Sequence, residues 1–124
     1  MKGIHAISEM NAGEIERLLS LATEFKSGKA TRKNLSGRTV ALFFSENSTR
    51  TKLSFTLAAQ KLGARVLDLN ESTSSVAKGE SLLDTSKTLE AMGADCIVVR
   101  HQESGITRYL QQHLQIRIVN AGDG

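Results

Sequence analysis

The sequence predicts a single α/β domain with a doubly wound, mostly parallel open sheet flanked by helices. Three observations lead to this fold class. Apolar runs typical of buried strands alternate along the chain with stretches of helical period. Three of the helical stretches end at a glycine, which is a common stop for a helix. Polar clusters follow the apolar runs, as they do where ligand-binding loops gather at the carboxyl edge of parallel strands.

The length and composition limit the function classes. At 124 residues the chain is long enough for one domain, residues 1–124. A net charge of +3 and an aromatic content of 4% are too small to indicate nucleic-acid binding. Neither a secretory leader nor an apolar span long enough for a membrane is seen, so a cytoplasmic protein is expected. The single cysteine, Cys96, lies in an apolar run and is expected to be a small buried hydrophobe.

The first helix is predicted to begin after Asn11, because Asn11 and Glu14 form the spacing of a capping box. Apolar residues then recur at helical spacing as far as the stop at Gly28, namely Ile15, Leu18, Leu19, Ala22 and Phe25. A strand follows over residues 39–44. The next helix is predicted from its apolar residues and is closed by Gly63, the apolar residues being Leu53, Leu57, Ala58 and Leu62.

The second half of the chain repeats the alternation. A strand is predicted over residues 65–69, and a polar surface loop follows over residues 70–79. The remaining elements are a helix over residues 80–92, a strand over 96–99, a helix over 105–114 and a strand over 116–119. Strands that alternate with helices imply parallel pairing through right-handed crossovers.

The run Ser48-Thr49-Arg50-Thr51 lies where the first strand gives way to a helix. A helix N-terminus offers unpaired N–H groups and the positive end of the helix dipole, which suits a phosphate. Hydroxyls and a guanidinium would add charge-assisted hydrogen bonds to the same oxygens. The alternative is an ordinary helix cap followed by solvated polar residues.

Four polar clusters share a position relative to the strands. They cover residues 45–52, 70–78, 100–101 and 120–124, and each follows a predicted strand. Because the carboxyl ends of parallel strands meet at one edge, we expect these clusters to form one anion site. Neither a Gly-x-Gly-x-x-Gly fingerprint nor a Walker loop is present, which disfavours dinucleotides and nucleoside triphosphates.

Five motifs, in this order, resemble the carbamoyl-phosphate domain of the aspartate/ornithine carbamoyltransferase family. The chain carries Glu46-Asn47-Ser48-Thr49-Arg50-Thr51 with Ser54-Phe55, then Lys78-Gly79-Glu80-Ser81, Asp84-Thr85, Arg100-His101 and Asn120-Ala121-Gly122-Asp123-Gly124. The resemblance covers essentially the whole chain, and the last motif is similar to that of the aspartate branch. It implies transfer of the carbamoyl group from carbamoyl phosphate to L-aspartate, an early step of pyrimidine synthesis that uses no metal or organic cofactor.

The resemblance also implies roles for individual residues. Ser48, Thr49, Arg50 and Thr51 would hold the phosphate, and Thr51 and Arg100 would also act at the carbamoyl oxygen. Ser74 and Lys78 would enter the site of a neighbouring subunit in a homotrimer, to which regulatory subunits could attach. Glu46 would link this domain to a second one.

Each of these residues has a simpler interpretation. Arg100 could pair with Glu103 or Asp123, Lys78 could be a solvated loop lysine, and Glu46 could cap a helix. His101 flanks the arginine and is interpreted as structural. His5 and His113 have no partner at metal-ligand spacing.

The chain departs from the family pattern after its last motif. The family continues with a His-Pro-Thr-Gln segment and an aspartate-binding domain, and neither is present. The chain is therefore expected to be the truncated donor half of an enzyme and inactive alone. The alternatives are a carbamoyltransferase for another amine, such as ornithine, and a non-catalytic domain for anion binding or subunit interaction.

Overall fold

The computed structural model describes residues 3–29, 34–45, 48–70 and 79–124, without the side chains of residues 70 and 79–81. Helices and strands alternate along these residues in the predicted order. The helices are α1 (Ala12–Lys26), α2 (Thr49–Lys61), α3 (Gly79–Ala91) and α4 (Ile106–His113). The strands are β1 (Thr39–Phe44), β2 (Arg65–Asn70), β3 (Cys96–Arg100) and β4 (Arg117–Gly122). A short 3₁₀ turn, Ile7–Glu9, which the sequence did not indicate, precedes α1.

The four named strands form one parallel sheet with the order β2-β1-β3-β4. The chain moves outward from β1 to β2 and then crosses back to place β3 on the other side of β1. The carboxyl ends of β1 and β3 therefore flank a topological switch point, which is where ligands bind in open sheets of this kind.

Helices cover both faces of the sheet, so the predicted doubly wound architecture is confirmed. The side chains of β1 alternate between the faces and are buried on both. On one face Leu42 belongs to an apolar cluster with Ala59 of α2. On the other face Phe43 belongs to a cluster with Leu82 of α3 and Leu110 of α4. The two clusters hold β1 and β3 between them and so fix the edge at which both strands end.

Two helices expose the apolar residues that predicted them. The helix α1 begins as expected, because the side chain of Asn11 accepts a hydrogen bond from the Glu14 N–H at 2.8 Å, but no α1 side chain is buried. On α2, Leu53 and Leu57 are 55% and 54% exposed, whereas Ala59 faces the sheet. Periodicity identified these helices correctly, but it did not identify the side that packs.

The last two strands extend further than the sequence indicated. Arg100 is the final residue of β3, and β4 runs to Gly122 instead of ending at Val119. The extension has a local cause, because the His101 N–H donates to the Gly122 carbonyl at 3.0 Å, beyond an irregularity between Val99 and Arg100. Part of the polar cluster at 120–124 therefore lies within a strand and not after one.

The outer edge of β4 pairs with the segment that precedes α1. The Ile4 N–H donates to the Ile118 carbonyl at 2.9 Å, and the Asn120 N–H donates to the Ile4 carbonyl at 2.8 Å. The side chain of Asn120 adds a hydrogen bond to the His5 carbonyl at 2.8 Å. The start of the described chain is thus attached beside the carboxyl end of β4.

The amino edge of the sheet is held by Asp95, the residue before β3. Its carboxylate accepts hydrogen bonds from the Thr39 N–H at 2.9 Å and from Arg38 Nη1 at 3.0 Å. These two donors, the backbone N–H first, lower the pKa of Asp95 below its ordinary value. The adjacent Cys96 is partly buried against the α2 face, and burial raises the pKa of its thiol to about 11. An inert thiol of this kind fits the expected packing role.

Candidate functional site

The carboxyl ends of β1 and β3 are joined through the backbone of Arg100. Phe44, the last residue of β1, pairs with Arg100 in the sheet register. The next residue, Ser45, donates from its N–H to the Arg100 carbonyl at 2.9 Å, and its hydroxyl lies 3.2 Å from the same oxygen. These contacts fix the residue that carries the guanidinium at the switch point of the sheet.

The guanidinium of Arg100 lies over the end of β4. Its Nη1 donates to the Ala121 carbonyl at 2.9 Å, and the side chain is half-buried. Gly122 lies beneath it with a φ of +133°, and a Cβ built there would be 2.5 Å from Arg100 Nη1. The Gly122 N–H is held by the side-chain oxygen of Asn120 at 2.8 Å. Only glycine allows the guanidinium to approach the backbone this closely.

The N-terminal turn of α2 begins at the same edge, three residues after Ser45. Its first intrahelical hydrogen bond runs from the Lys52 N–H to the Ser48 carbonyl at 3.0 Å. Ser48 occupies the cap position, yet within the described residues its side chain makes no capping hydrogen bond. The N–H groups of Thr49, Arg50 and Thr51 precede the helical ladder, and free donors at a helix N-terminus are suited to an anion.

The side chains of this turn differ in exposure. Thr49 and Arg50 are exposed, whereas Ser48 and Thr51 are half-buried. The next residue, Lys52, forms an ion pair with Asp68 of β2 at 2.7 Å. The lysine charge is therefore partly compensated, and Arg50 is the exposed cation of the turn.

The turn between β3 and α4 closes the other side of the site. The carboxylate of Asp123 accepts a hydrogen bond at 3.0 Å from the N–H of Gly105, which caps α4. The pKa of Asp123 is lowered, and the Gly105 N–H is the largest cause. The ring of His101 is buried and its Nδ1 accepts the Glu103 N–H at 3.0 Å. Asp123 and His101 thus fix the backbone that surrounds Arg100.

The structure brings together part of the predicted site. Ser48, Thr49, Arg50 and Thr51 share one sheet edge with Arg100, because β1 leads into α2 and is hydrogen-bonded to β3. The predictions for Glu46, Ser74 and Lys78 lie outside the described residues. The Arg100 guanidinium donates to the Ala121 carbonyl, and the Asp123 carboxylate accepts the Gly105 N–H.

Three residues around the arginine had no role assigned from the sequence. They are Ser45 and Asn120, which hydrogen-bond to backbone beside Arg100, and Gly122, which leaves room for its guanidinium. A glycine within a strand pattern is a signal of close backbone approach, and it could have identified Gly122.

No cluster of three His, Cys, Asp or Glu side chains that could hold a metal ion occurs within residues 3–29, 34–45, 48–70 and 79–124. The same ranges hold no helix that is both long and apolar enough to cross a membrane.

The fold and the site define an α/β domain with a candidate anion site at a sheet switch point. The family described as "Aspartate/ornithine carbamoyltransferase, carbamoyl-P binding domain" matches residues 2–124. The chain belongs to this family.

Individual relatives agree with the family match. The aspartate carbamoyltransferase catalytic subunit of Granulibacter bethesdensis is 49% identical over 123 residues, which cover 96% of this chain and 39% of that protein. The catalytic subunit of M. jannaschii aspartate transcarbamoylase superposes with a TM-score of 0.84 at 40% identity, covering 100% of this chain and 42% of that one.

A third relative was solved with ligands. The aspartate transcarbamoylase of Trypanosoma cruzi, in complex with carbamoyl phosphate and aspartate, has a TM-score of 0.84 and 32% identity. The match covers 99% of this chain and 39% of that one. The chain therefore spans about 40% of the length of these relatives.

Proposed function

We propose that this chain is the donor half of an aspartate carbamoyltransferase and that it binds carbamoyl phosphate. The observation that carries the proposal is that Arg100 ends β3 beside the strand that leads into α2, and that within the described residues the Ser48 side chain does not cap that helix. The dianionic phosphoryl group of an acyl phosphate matches this set of donors, because backbone N–H groups, hydroxyls and guanidinium groups all donate to phosphate oxygens.

In the proposed site, Ser48, Thr49, Arg50 and Thr51 bind the phosphate. Arg100 reaches the phosphate and the carbamoyl oxygen, where Thr51 also donates. The amine of aspartate attacks the carbamoyl carbon and forms a C–N bond. The C–O bond to phosphate then breaks, phosphate leaves with that electron pair, and the amine loses a proton. Donors fixed at the carbamoyl oxygen stabilise the charge that develops there in the tetrahedral intermediate.

The acceptor is proposed to be L-aspartate, which would place the reaction in pyrimidine synthesis in the cytoplasm. The relatives described above support aspartate, since they are named for it, and the Trypanosoma cruzi structure contains both substrates. The aspartate-binding residues would lie in the part of those relatives that this chain does not match, and Glu46 would connect the two parts.

The complete site is proposed to form in a homotrimer, with Ser74 and Lys78 reaching the site of the neighbouring subunit. Regulatory subunits are a further proposed partner. The mass of the full-length protein in solution, with and without carbamoyl phosphate, tests the trimer. A monomer that transfers carbamoyl groups at the same rate per chain would contradict site sharing.

The phosphate assignment is tested with Arg50→Ala in the full-length protein. Loss of one charge-assisted hydrogen bond is worth about 1.5–3 kcal/mol, so carbamoyl phosphate should bind at least about tenfold more weakly by calorimetry. The matched control is Arg65→Ala, because Arg65 is also an exposed arginine but begins β2 at the opposite edge of the sheet. Equal affinity of the two variants for carbamoyl phosphate would contradict the assignment of Arg50 to the phosphate.

The acceptor is tested by measuring carbamoyl transfer to aspartate and to ornithine with the same preparation. Transfer to aspartate alone is expected. Transfer to ornithine alone would leave the donor site intact and overturn the choice of acceptor.

A further inference from the structure

His101 is a buried ionisable residue without a role in the proposed reaction. It follows β3 directly, and only 3% of its surface is exposed. Its ring Nδ1 accepts a hydrogen bond from the Glu103 N–H at 3.0 Å. A ring nitrogen that accepts a hydrogen bond carries no proton, so in this arrangement the ring proton lies on Nε2.

The peptide group between Arg100 and His101 is held from both neighbouring strands. Its carbonyl accepts the Ser45 N–H at 2.9 Å, which ties it to the end of β1. Its N–H donates to the Gly122 carbonyl at 3.0 Å, which ties it to the end of β4. The hydrogen bond from the Glu103 N–H to Nδ1 is a third attachment, because it holds the turn that begins immediately after this peptide.

The two ring nitrogens of His101 differ in their described contacts. The Nε2 atom of His101 is buried and has no hydrogen-bond partner among the residues that the structure describes. Nδ1 is therefore the ring nitrogen whose partner the structure defines. The feature that an apolar side chain would lack is the acceptor at Nδ1.

We propose that His101 is a positioning residue for Arg100 and acts through the acceptor at Nδ1. By holding the Glu103 N–H, the ring fixes the turn over residues 101–105 and keeps the Arg100–His101 peptide aligned between β1 and β4. The guanidinium is thereby held over Gly122, where it donates to the Ala121 carbonyl. That this position of Arg100 affects the binding of carbamoyl phosphate rests on the function proposed above.

Two substitutions separate positioning from packing. In His101→Asn, the side-chain oxygen occupies the place of Nδ1 and can still accept the Glu103 N–H, although the side chain is smaller. In His101→Leu, the volume is nearly kept and the acceptor is lost. If His101 only fills space, the leucine variant should have the ligand affinity closer to that of the wild type. If His101 acts through its acceptor, the asparagine variant should have the closer affinity.

The experiment measures carbamoyl phosphate affinity by calorimetry on the full-length protein and both variants. We expect His101→Asn to bind within about threefold of the wild type and His101→Leu to bind about tenfold more weakly. The thermal midpoint is recorded for each variant so that affinity is compared only between folded proteins. Equal affinities, or a leucine variant that binds more tightly than the asparagine variant, would overturn the proposal.

A measurement without ligand separates this proposal from the proposed function. Amide exchange at Glu103 should stay slow in the wild type and in His101→Asn and become fast in His101→Leu, because only leucine removes the acceptor. If the wild type fails to bind carbamoyl phosphate, the proposed function fails, and the exchange data still decide the role of His101. Slow exchange at Glu103 in the leucine variant would overturn that role.

Discussion

The contact between Gly122 and Arg100 gives the sharpest prediction. A Cβ added at Gly122 would lie 2.5 Å from Arg100 Nη1 and 3.1 Å from Cζ. An ordinary contact between heavy atoms is about 3.5 Å, so the guanidinium must move by roughly 1 Å in Gly122→Ala. Such a shift breaks the 2.9 Å hydrogen bond from Nη1 to the Ala121 carbonyl, which holds the guanidinium in place.

The substitution has two separate costs. Alanine at a φ of +133° is strained, and a strained residue of this kind costs about 1–3 kcal/mol of stability. The displaced arginine would also lose its hydrogen bond to the proposed ligand, and a charge-assisted hydrogen bond is worth about 1.5–3 kcal/mol, or at least about tenfold in affinity. We expect Gly122→Ala to bind carbamoyl phosphate at least about tenfold more weakly, with a lower thermal midpoint.

The control isolates the backbone strain. Gly93 also has a positive φ, +98°, but a Cβ there would meet nothing within 4 Å. Gly93→Ala should therefore lose stability while keeping its affinity for carbamoyl phosphate. Calorimetric titration and thermal unfolding of both variants provide the comparison. If Gly122→Ala remains folded and binds within twofold of the wild type, the positioning of Arg100 by Gly122 is refuted.

Two further predictions concern the amino edge of the sheet. The Asp95 carboxylate has a lowered pKa, so its bonds to Thr39 and Arg38 stabilise the fold above the ordinary aspartate pKa and are lost as the pH falls through the lowered value. Asp95→Asn should lower the free energy of unfolding by about 1 kcal/mol at pH 7, and the difference should shrink below about pH 4. The Cys96 thiol, with a pKa of about 11, should react with a thiol reagent at pH 8 about 100-fold more slowly in the folded protein than in urea.

Each of these predictions has a direct check. Denaturant unfolding at several pH values gives the Asp95 comparison, and a difference from the wild type that does not vary with pH would contradict the ionised role of the carboxylate. For Cys96, reaction rates in folded and unfolded protein are compared at one reagent concentration. Equal rates in the folded and unfolded protein would show that the thiol is accessible and that its pKa is not raised.

Local sequence patterns were sufficient for the order of elements. The Asn11 cap, the glycines that follow the helices and the apolar runs of the strands predicted all four helices and all four strands that the structure describes. These signals depend on neighbours within a few residues, so they can be recognised without knowing the fold. The polar run was predicted where β1 gives way to a helix, and the structure has Ser48 at the cap and Thr49, Arg50 and Thr51 in the first turn of α2.

Contacts between distant residues decided the rest. The sequence around Leu53 and Leu57 does not indicate that these side chains point away from the sheet. The side of α2 that packs depends on the shape of the face that β1 and β2 present to it. The strand order β2-β1-β3-β4 depends in the same way on which faces the helices can cover.

The sequence by itself determined the alternating elements, the position of Ser48 and Arg100 at the carboxyl ends of their strands and the motifs that resemble the family. The tertiary structure alone decided how Arg100 is held, because Ser45, Gly122 and His101 come from three different strand ends. Helix caps and strand periods are properties of short segments. The close approach of a guanidinium to a glycine 22 residues away depends on the pairing of β3 with β4, which only the folded chain provides.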